Sequence, residues 1–452
     1  MLKRKIEEKL NAFKSHKKGL LITGARQVGK TYSVIQYGKA NFKVFVRIDF
    51  IEDVNARTLF TNATDAETII SRLTLLVPEL LIPGETLVFF DEVQKAPEIV
   101  TAIKYLVEDG RFRYILSGSL LGVELENIQS IPAGYVERVS MYPMDFEEFM
   151  IANGVAPSVI DSLRKSFEER TPVDEFIHER LLALHRLYMI VGGMPAAVNE
   201  YVTSKDLRRV RMEQDIVLDA YKVDIKKYDK ENSLYIKEIF DILPSELNNK
   251  NKRFILKNLN ENKRFDFYRN SFIWLADAGV AIPVYNVEEP NSPLTLSKSR
   301  NLLKLFSNDV GLLSAMFGDL ELQVNLLSGS GNANYGSVYE NFAAEELKAH
   351  GFEMYYYNSK AHGEVDFIVE YKGHAIPIEI KSGKDYKRHR ALNNILDIQD
   401  YDIEDAFVFS NANVARVGKV TYYPIYMIGF LTGIEPTESL VYEFDLGPLA
   451  GN

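Results

Sequence analysis

Gly24-Ala25-Arg26-Gln27-Val28-Gly29-Lys30-Thr31 satisfies the pattern G-x-x-x-x-G-K-[ST] at every fixed position. Leu20, Leu21 and Ile22 in front form a short apolar run suited to a buried strand, and Tyr32 to Lys39 behind can continue as a helix. That strand, loop and helix are the setting the pattern requires. Gly24 and Gly29 allow the main chain to turn tightly and approach phosphates, so that successive amides and the helix N-terminus face an anion. In such a loop Lys30 reaches the β- and γ-phosphates and Thr31 holds magnesium. The expected ligands are therefore ATP and Mg2+, with Gly24 through Thr31 as the cradle.

The 452 residues are too many for one ordinary core, and length alone suggests about three domains. Hydrophobic residues make up 46% and charged residues 26%, which describes a folded chain rather than a disordered one. The absence of cysteine excludes disulfides, thiolate metal sites and cysteine nucleophiles. The start, Met-Leu-Lys-Arg-Lys-Ile-Glu-Glu-Lys-Leu, carries basic residues with no apolar stretch after them, and no run is long enough to span a bilayer. The expectation is a cytoplasmic protein with no membrane partner. A net charge of −10 argues against tight, non-specific nucleic-acid binding by the whole molecule, while leaving room for local basic stretches.

Further along, residues 1–18 read as a short amphipathic helix, Val44 to Phe50 alternates as a strand, and Ala66 to Leu76 has helical spacing. Thr86-Leu87-Val88-Phe89-Phe90-Asp91-Glu92 runs four apolar residues into two acids. This predicts a strand buried on both faces whose carboxylates emerge at its C-terminal end, where parallel α/β sheets bind ligands. Asp91 then stands beside magnesium and Glu92 orients the attacking water. Arg113-Tyr114-Ile115-Leu116 is another short strand, ending in Ser117-Gly118-Ser119, where Ser117 is placed to contact the γ-phosphate or the water.

These segments resemble, in order, the Walker A, Walker B and sensor-1 motifs of the AAA+ ATPases, over roughly residues 15–150. The branch most similar includes the archaeal-type ATPases and the STAND switch proteins. The resemblance implies a five-stranded parallel sheet and ATP as ligand. Relatives usually carry Gly-Arg after sensor 1; here Ala133-Gly134-Tyr135-Val136-Glu137-Arg138 precedes Tyr142-Pro143-Met144-Asp145-Phe146. Arg138 is the nearest substitute for an arginine that senses the γ-phosphate, with a surface ion pair as the alternative.

From about residue 150 the pattern turns helical, with apolar Leu181 to Val191 broken by Gly192-Gly193-Met194-Pro195. Arg208, Arg209 and Arg211 lie in a charged helix, and Lys250, Lys252, Arg253, Lys257, Lys263 and Arg264 make the stretch before Phe267 basic. Helices followed by the strand-like Val280 to Tyr285 describe a winged-helix-like unit, which reads DNA or packs against an ATPase core.

After residue 335 a helix from Gly336 to His350 carries Glu340 on the face lined by Ala343, Ala344 and Leu347, while Glu345 and Glu346 point elsewhere. An acid on a small apolar face needs a cation or metal partner. Glu364 to Glu370 alternates as a strand with Asp366 opposite Val365, Phe367 and Val369. A Lys372-Gly373 turn leads to Ile376 to Lys381, where Glu379 and Lys381 share a face. Together with the basic segment Lys387-Arg388-His389-Arg390, read as helical, these residues resemble the PD-(D/E)xK nuclease core. That resemblance implies metal binding by Asp366, Glu379 and Glu340, and a catalytic role for Lys381. Clustered carboxylates do supply the oxygen ligands that metal-assisted phosphodiester hydrolysis needs. The alternative is a buried structural pair in which Lys381 neutralises Asp366 and Glu379.

Almost the whole chain resembles one bacterial and archaeal family of AAA-type ATP-binding proteins with a C-terminal domain of unknown function. The expected architecture is α/β: a P-loop AAA+ parallel-sheet domain (1–150), a helical, winged-helix-like domain (151–330) and a C-terminal α/β restriction-endonuclease-like domain with a tail (331–452). The expected function is an Mg-dependent ATPase in which Lys30, Thr31, Asp91 and Glu92 handle nucleotide and a nuclease-like domain acts on DNA or RNA. The rival is a nucleotide-gated scaffold with a silent nuclease-like domain; a small-molecule kinase fits less well because no acceptor pocket is evident. Oligomeric state and protein partners are left open.

Overall fold

The computed structural model describes residues 2–14, 16–118, 134–228, 232–249, 253–318 and 336–433. Five strands form the first sheet: β1 (Gly19–Thr23), β2 (Val44–Asp49), β3 (Thr86–Asp91), β4 (Arg113–Ser117) and β5 (Val136–Ser140). They pair in parallel in the order β2-β3-β4-β1-β5. The inner strands read as unbroken apolar runs because helices cover both faces. Leu87 and Phe89 of β3 belong to one core and Val88 and Phe90 to another, just as Leu20 and Ile22 of β1 are divided from Leu21. Local signals set the helix ends: Asp65 accepts from the Thr68 amide (2.8 Å) at the start of helix Ala66–Leu76, and Gly110 closes helix Glu98–Asp109 with φ +72°.

Helices Phe146–Ala152, Pro157–Glu168, Glu175–Val191, Pro195–Ser204, Leu207–Tyr228, Asn232–Asn248 and Phe265–Asp277 follow. The first is fixed by a capping box, Asp145 accepting from the Glu148 amide and Glu148 from the Asp145 amide. The second sheet contains β6 (Ala281–Val287), β7 (Lys298–Ser307), β8 (Tyr355–Ser359), β9 (Gly363–Tyr371), β10 (His374–Lys381), β11 (Ala406–Ser410), β12 (Ala415–Val417) and β13 (Val420–Pro424). Its order is β12-β13-β11-β10-β9-β8-β6-β7. The β9–β10 hairpin turns through Lys372 and Gly373, both with positive φ, as a two-residue turn demands.

The second sheet and its helices add details that the sequence alone does not give. The β6–β7 hairpin joins the C-terminal strands: β6 pairs antiparallel with β7 and in parallel with β8, so strands from both sides of residue 330 share one sheet. Lys387, Arg388 and His389 precede helix Arg390–Leu396 instead of lying in it, and His389 is buried with Nε2 2.8 Å from the Tyr422 hydroxyl. Helix Gly336–Ala349 is buried on nearly every side. Glu345 and Glu346 do face away from Glu340, but into further protein interior. Glu345 accepts from the Val310 amide (2.6 Å), opening helix Val310–Met316, and Glu346 accepts from the Phe146 amide (2.7 Å). One apolar core runs from Ile6 through both sheets to Leu431.

Ser119, Ala133, Lys250, Lys252 and the closing strand expected after 435 lie outside the described residues. Among the described residues no helix is long and apolar enough to cross a membrane.

Candidate nucleotide site and a second acidic cluster

The loop between β1 and helix Lys30–Asn41 has positive φ at Gly24 (+138°), Gln27 (+65°) and Gly29 (+95°). A Cβ at Gly24 would lie 2.1 Å from the Met141 carbonyl oxygen, so this glycine is required by the close passage of the chain leaving β5. Lys30 is buried, and its ammonium donates to the carbonyls of Gly24 (3.0 Å) and Ala25 (2.7 Å). Burial lowers its pKa to about 8, against the pull of Glu92 and Asp91.

Asp91, only 1% exposed, ends β3 at the centre of a donor set. Thr31 Oγ1 donates at 3.3 Å, the Ser117 hydroxyl and the Glu92 amide also donate to Oδ1, and Arg47 donates to Oδ2 through Nε (3.1 Å) and Nη2 (2.9 Å). The structure thus brings together Lys30, Thr31, Asp91 and Ser117. Glu92 takes a left-handed conformation (φ +56°) and accepts from the Gln94 side-chain amide, so the chain turns sharply between the two acids. Arg47 was not singled out from the sequence. Its signal was present: Arg47 and Asp49 lie two apart at the end of β2, pair at 2.5 Å, and β2 runs beside β3 with Asp49 opposite Asp91.

The loop is also held from outside the sheet. Arg4 donates to the Val28 carbonyl (2.8 Å) and the Tyr142 carbonyl (2.8 Å) and pairs with Glu148 (3.0 Å). Arg26 pairs with Asp224 of helix Leu207–Tyr228 at 2.7 Å, and a Cβ at Gly279 would come within 3.0 Å of the Ala25 nitrogen. The Gly192-Gly193-Met194-Pro195 break packs here as well: the Gly193 amide donates to Asp309 (2.6 Å), and the Pro195 ring would lie 3.6 Å from a Cβ at Gly29. Arg138 is exposed and reaches Thr23 Oγ1 at 3.4 Å.

In the second sheet, Asp366 accepts from the Ile380 amide (2.9 Å) and Lys381 pairs with Glu379 (2.7 Å). Burial, then the neighbouring Asp366, pushes the Glu379 carboxyl up to about 8 despite Lys381. Glu340 is buried nearby, and Lys381 feels the charges of Glu379, Asp366 and Glu340. An unforeseen member is Lys304 of β7, fully buried, 2.7 Å from Glu364 and 3.9 Å from Glu340, with its ammonium 5.0 Å from the centre of the Tyr356 ring. A lone lysine within Leu302-Leu303-Lys304-Leu305-Phe306 was the available signal. Among the described residues, no three Asp, Glu, His or Cys side chains are grouped as a bound metal ion would require.

Residues 16–150 match a family model described as an AAA domain, residues 183–323 match a domain of unknown function (DUF8612), and residues 335–428 match another (DUF4143). The N-terminal part of the chain is thus an AAA-type P-loop ATPase domain. No curated protein matches the chain. Among solved structures, the Walker-type ATPase PABY2304 of Pyrococcus abyssi is similar at 15% identity and a TM-score of 0.41, over 70% of this chain and 96% of that one. Orc1 of Aeropyrum pernix, solved in complex with DNA, is similar at 12% identity and a TM-score of 0.29, over 72% and 92%. RuvB of Thermotoga maritima follows at 15% identity and 0.30, over 62% and 88%.

Proposed function

We propose that this protein is an Mg2+-dependent, ATP-hydrolysing switch whose nucleotide state is passed to the helical middle and the C-terminal sheet. The observation that carries the reading is Asp91, which holds Thr31, Ser117 and Arg47 around one buried carboxylate beside Lys30. Thr31 Oγ1 and Asp91 Oδ1, 3.3 Å apart, are hard oxygens of the kind magnesium takes, so this donor set fits the ion. Thr31 and Asp91 would hold such an ion, which would supply charge neutralisation for the phosphates. Lys30, released from its carbonyl partners, holds the terminal phosphates, and Ser117 is within reach of the γ-phosphate or the attacking water. Glu92 orients and polarises that water. The pair Arg26–Asp224 supports the switch, since it ties the phosphate loop directly to helix Leu207–Tyr228.

Isothermal titration with ATP and Mg2+, followed by phosphate-release assays, tests the reading. Lys30→Ala is expected to lose ATP binding, whereas Glu92→Gln keeps binding and loses turnover. Turnover unchanged in Glu92→Gln would remove the assignment of the water-orienting residue.

For the C-terminal sheet, a nuclease-like role rests on Asp366 and Glu379. These two carboxyls face each other with Lys381 alongside, a donor pair that suits one divalent cation. DNA or RNA is then the substrate class, with exposed Arg253, Lys257, Lys263 and Arg264 as backbone contacts. Metal-dependent cleavage lost in Asp366→Ala supports this role; no cleavage under any nucleotide condition supports a nucleotide-gated scaffold instead.

A further inference from the structure

A cavity of about 210 Å³ opens where the chain leaving β5, the end of helix Phe265–Asp277 and helix Gly336–Ala349 meet. One wall is Thr23, Gly24 and Ala25, the start of the phosphate loop. The volume lies below the roughly 300–1,000 Å³ of pockets for drug-sized ligands, so its occupant is a small molecule. The buried lining carries two acceptors. Glu345 accepts from the Val310 amide through Oε2 (2.6 Å), while its Oε1 has no hydrogen-bond partner among the described residues. The neighbouring Tyr188 hydroxyl is directed instead to the Met144 carbonyl (2.7 Å). Asn308 donates through Nδ2 to the Tyr221 hydroxyl (3.0 Å), and its Oδ1 is likewise without a partner among those residues. Glu345 is 7% exposed and Asn308 5%, so neither oxygen is turned to bulk water, and an acceptor in that position is costly without a donor. The mouth has the opposite character: exposed Arg138 and half-buried Lys348 line it, with Asp277 as the acid among them.

We propose that this cavity binds a small zwitterionic amine, its ammonium on Glu345 Oε1 and Asn308 Oδ1 and its carboxylate at Arg138 and Lys348. An ammonium has three donors and no acceptor, so it satisfies both oxygens at once. A second ammonium in place of the carboxylate would meet Arg138 and Lys348 and be repelled, and an anion at the buried end would meet Glu345. Burial, then Asp309 and Glu346, pushes the Glu345 carboxyl well above the usual carboxylate range. It therefore holds a proton in the empty cavity and gives it up when a cation binds. Tyr188 is the other titratable group facing it, and Asp145, Asp277, Arg138 and Lys348 stand around the same cavity. The site depends on neither the nucleotide reading nor the nuclease-like one.

Isothermal titration of the full-length chain uses L-alanine and γ-aminobutyrate, a short and a long zwitterion, beside butylamine and butyrate, which keep one charge each. Buffers of different ionisation enthalpy count the protons released. A zwitterion is expected to bind once per chain with release of a proton, butylamine more weakly, and butyrate not at all. Glu345→Gln, still able to accept from the Val310 amide, should weaken binding by roughly 10-fold or more and abolish proton release. Arg138→Ala should bring the zwitterion down toward butylamine, and Ala276→Leu, which fills the cavity, should remove binding. No heat with either zwitterion in folded wild type overturns the proposal. So does butyrate binding equally well, or binding that Glu345→Gln and Arg138→Ala both leave intact. Should Glu345→Gln fail to fold, exposed Arg138→Ala and the comparison with butylamine decide.

Discussion

Replacing Arg47 by methionine removes two charge-assisted hydrogen bonds from Asp91, at 3.1 and 2.9 Å. Each such bond contributes roughly 1.5–3 kcal/mol net when shielded from water. The Arg47 side chain is 29% exposed, so hydration and screening reduce the pair to about 2 kcal/mol in total. Asp91 is not orphaned by the change, because Ser117, Thr31 and the Glu92 amide still donate to it. A double-mutant cycle of Arg47→Met and Asp91→Asn, read by urea unfolding, should therefore give a coupling near 2 kcal/mol, or about 30-fold in the unfolding constant. Arg47→Met should also lower kcat more than it raises KM for ATP, since the carboxylate beside Thr31 is no longer held in orientation. A coupling below about 0.5 kcal/mol together with unchanged kcat would refute the view that Arg47 positions Asp91.

Other outcomes follow from the same geometry. Gly24→Ala forces a Cβ against the Met141 carbonyl at a φ that alanine rarely adopts, so the variant should lose ATP binding in calorimetry and unfold at lower urea; wild-type affinity would contradict the packing argument. The wild type is expected to show ATP-dependent hydrogen-exchange protection of helix Leu207–Tyr228 and Asp224→Asn to lose it; an unaltered response in the variant would sever Arg26 from the coupling. Glu346 is pushed up to about 8 by burial and by Asp145, so the folded state holds a proton that the unfolded state releases above about 4.5. Its stabilising contribution is complete below that unfolded value and is lost as pH rises through about 8. Glu346→Gln, still able to accept from the Phe146 amide, should flatten the fall in urea midpoint between pH 5.5 and 8.5; a slope as steep as wild type would count against it.

The nucleotide loop was legible because its chemistry is local: strand, glycines, Lys30 and Thr31 sit in one short stretch. The strand ending in Asp91 was legible for a similar reason, since burial on both faces writes an unbroken apolar run. Arg47 was not, because only the parallel pairing of β2 with β3 brings its guanidinium to Asp91. Glu345 and Glu346 look like ordinary surface glutamates on a helical wheel. Their partners, the amides of Val310 and Phe146, are 35 and 200 residues away, and no periodicity encodes such distances. The hairpin reads as a wing from its order in the chain, yet hydrogen bonding between β6 and β8 decides where it belongs. Lys304 escaped notice because a single lysine in an apolar strand says that it needs a partner without saying which.

The pairing of β6 with β8 bears on how this molecule can be taken apart. A fragment beginning after residue 330 would keep β8 but lose the neighbour that covers its outer edge, along with the lysine that balances Glu340 and Glu364. Bare strand edges invite association between copies, and uncompensated acids swell the interior. A cut made there therefore opens a shared layer, and a fragment that carries the β6–β7 hairpin with it should stay monomeric where the shorter one associates.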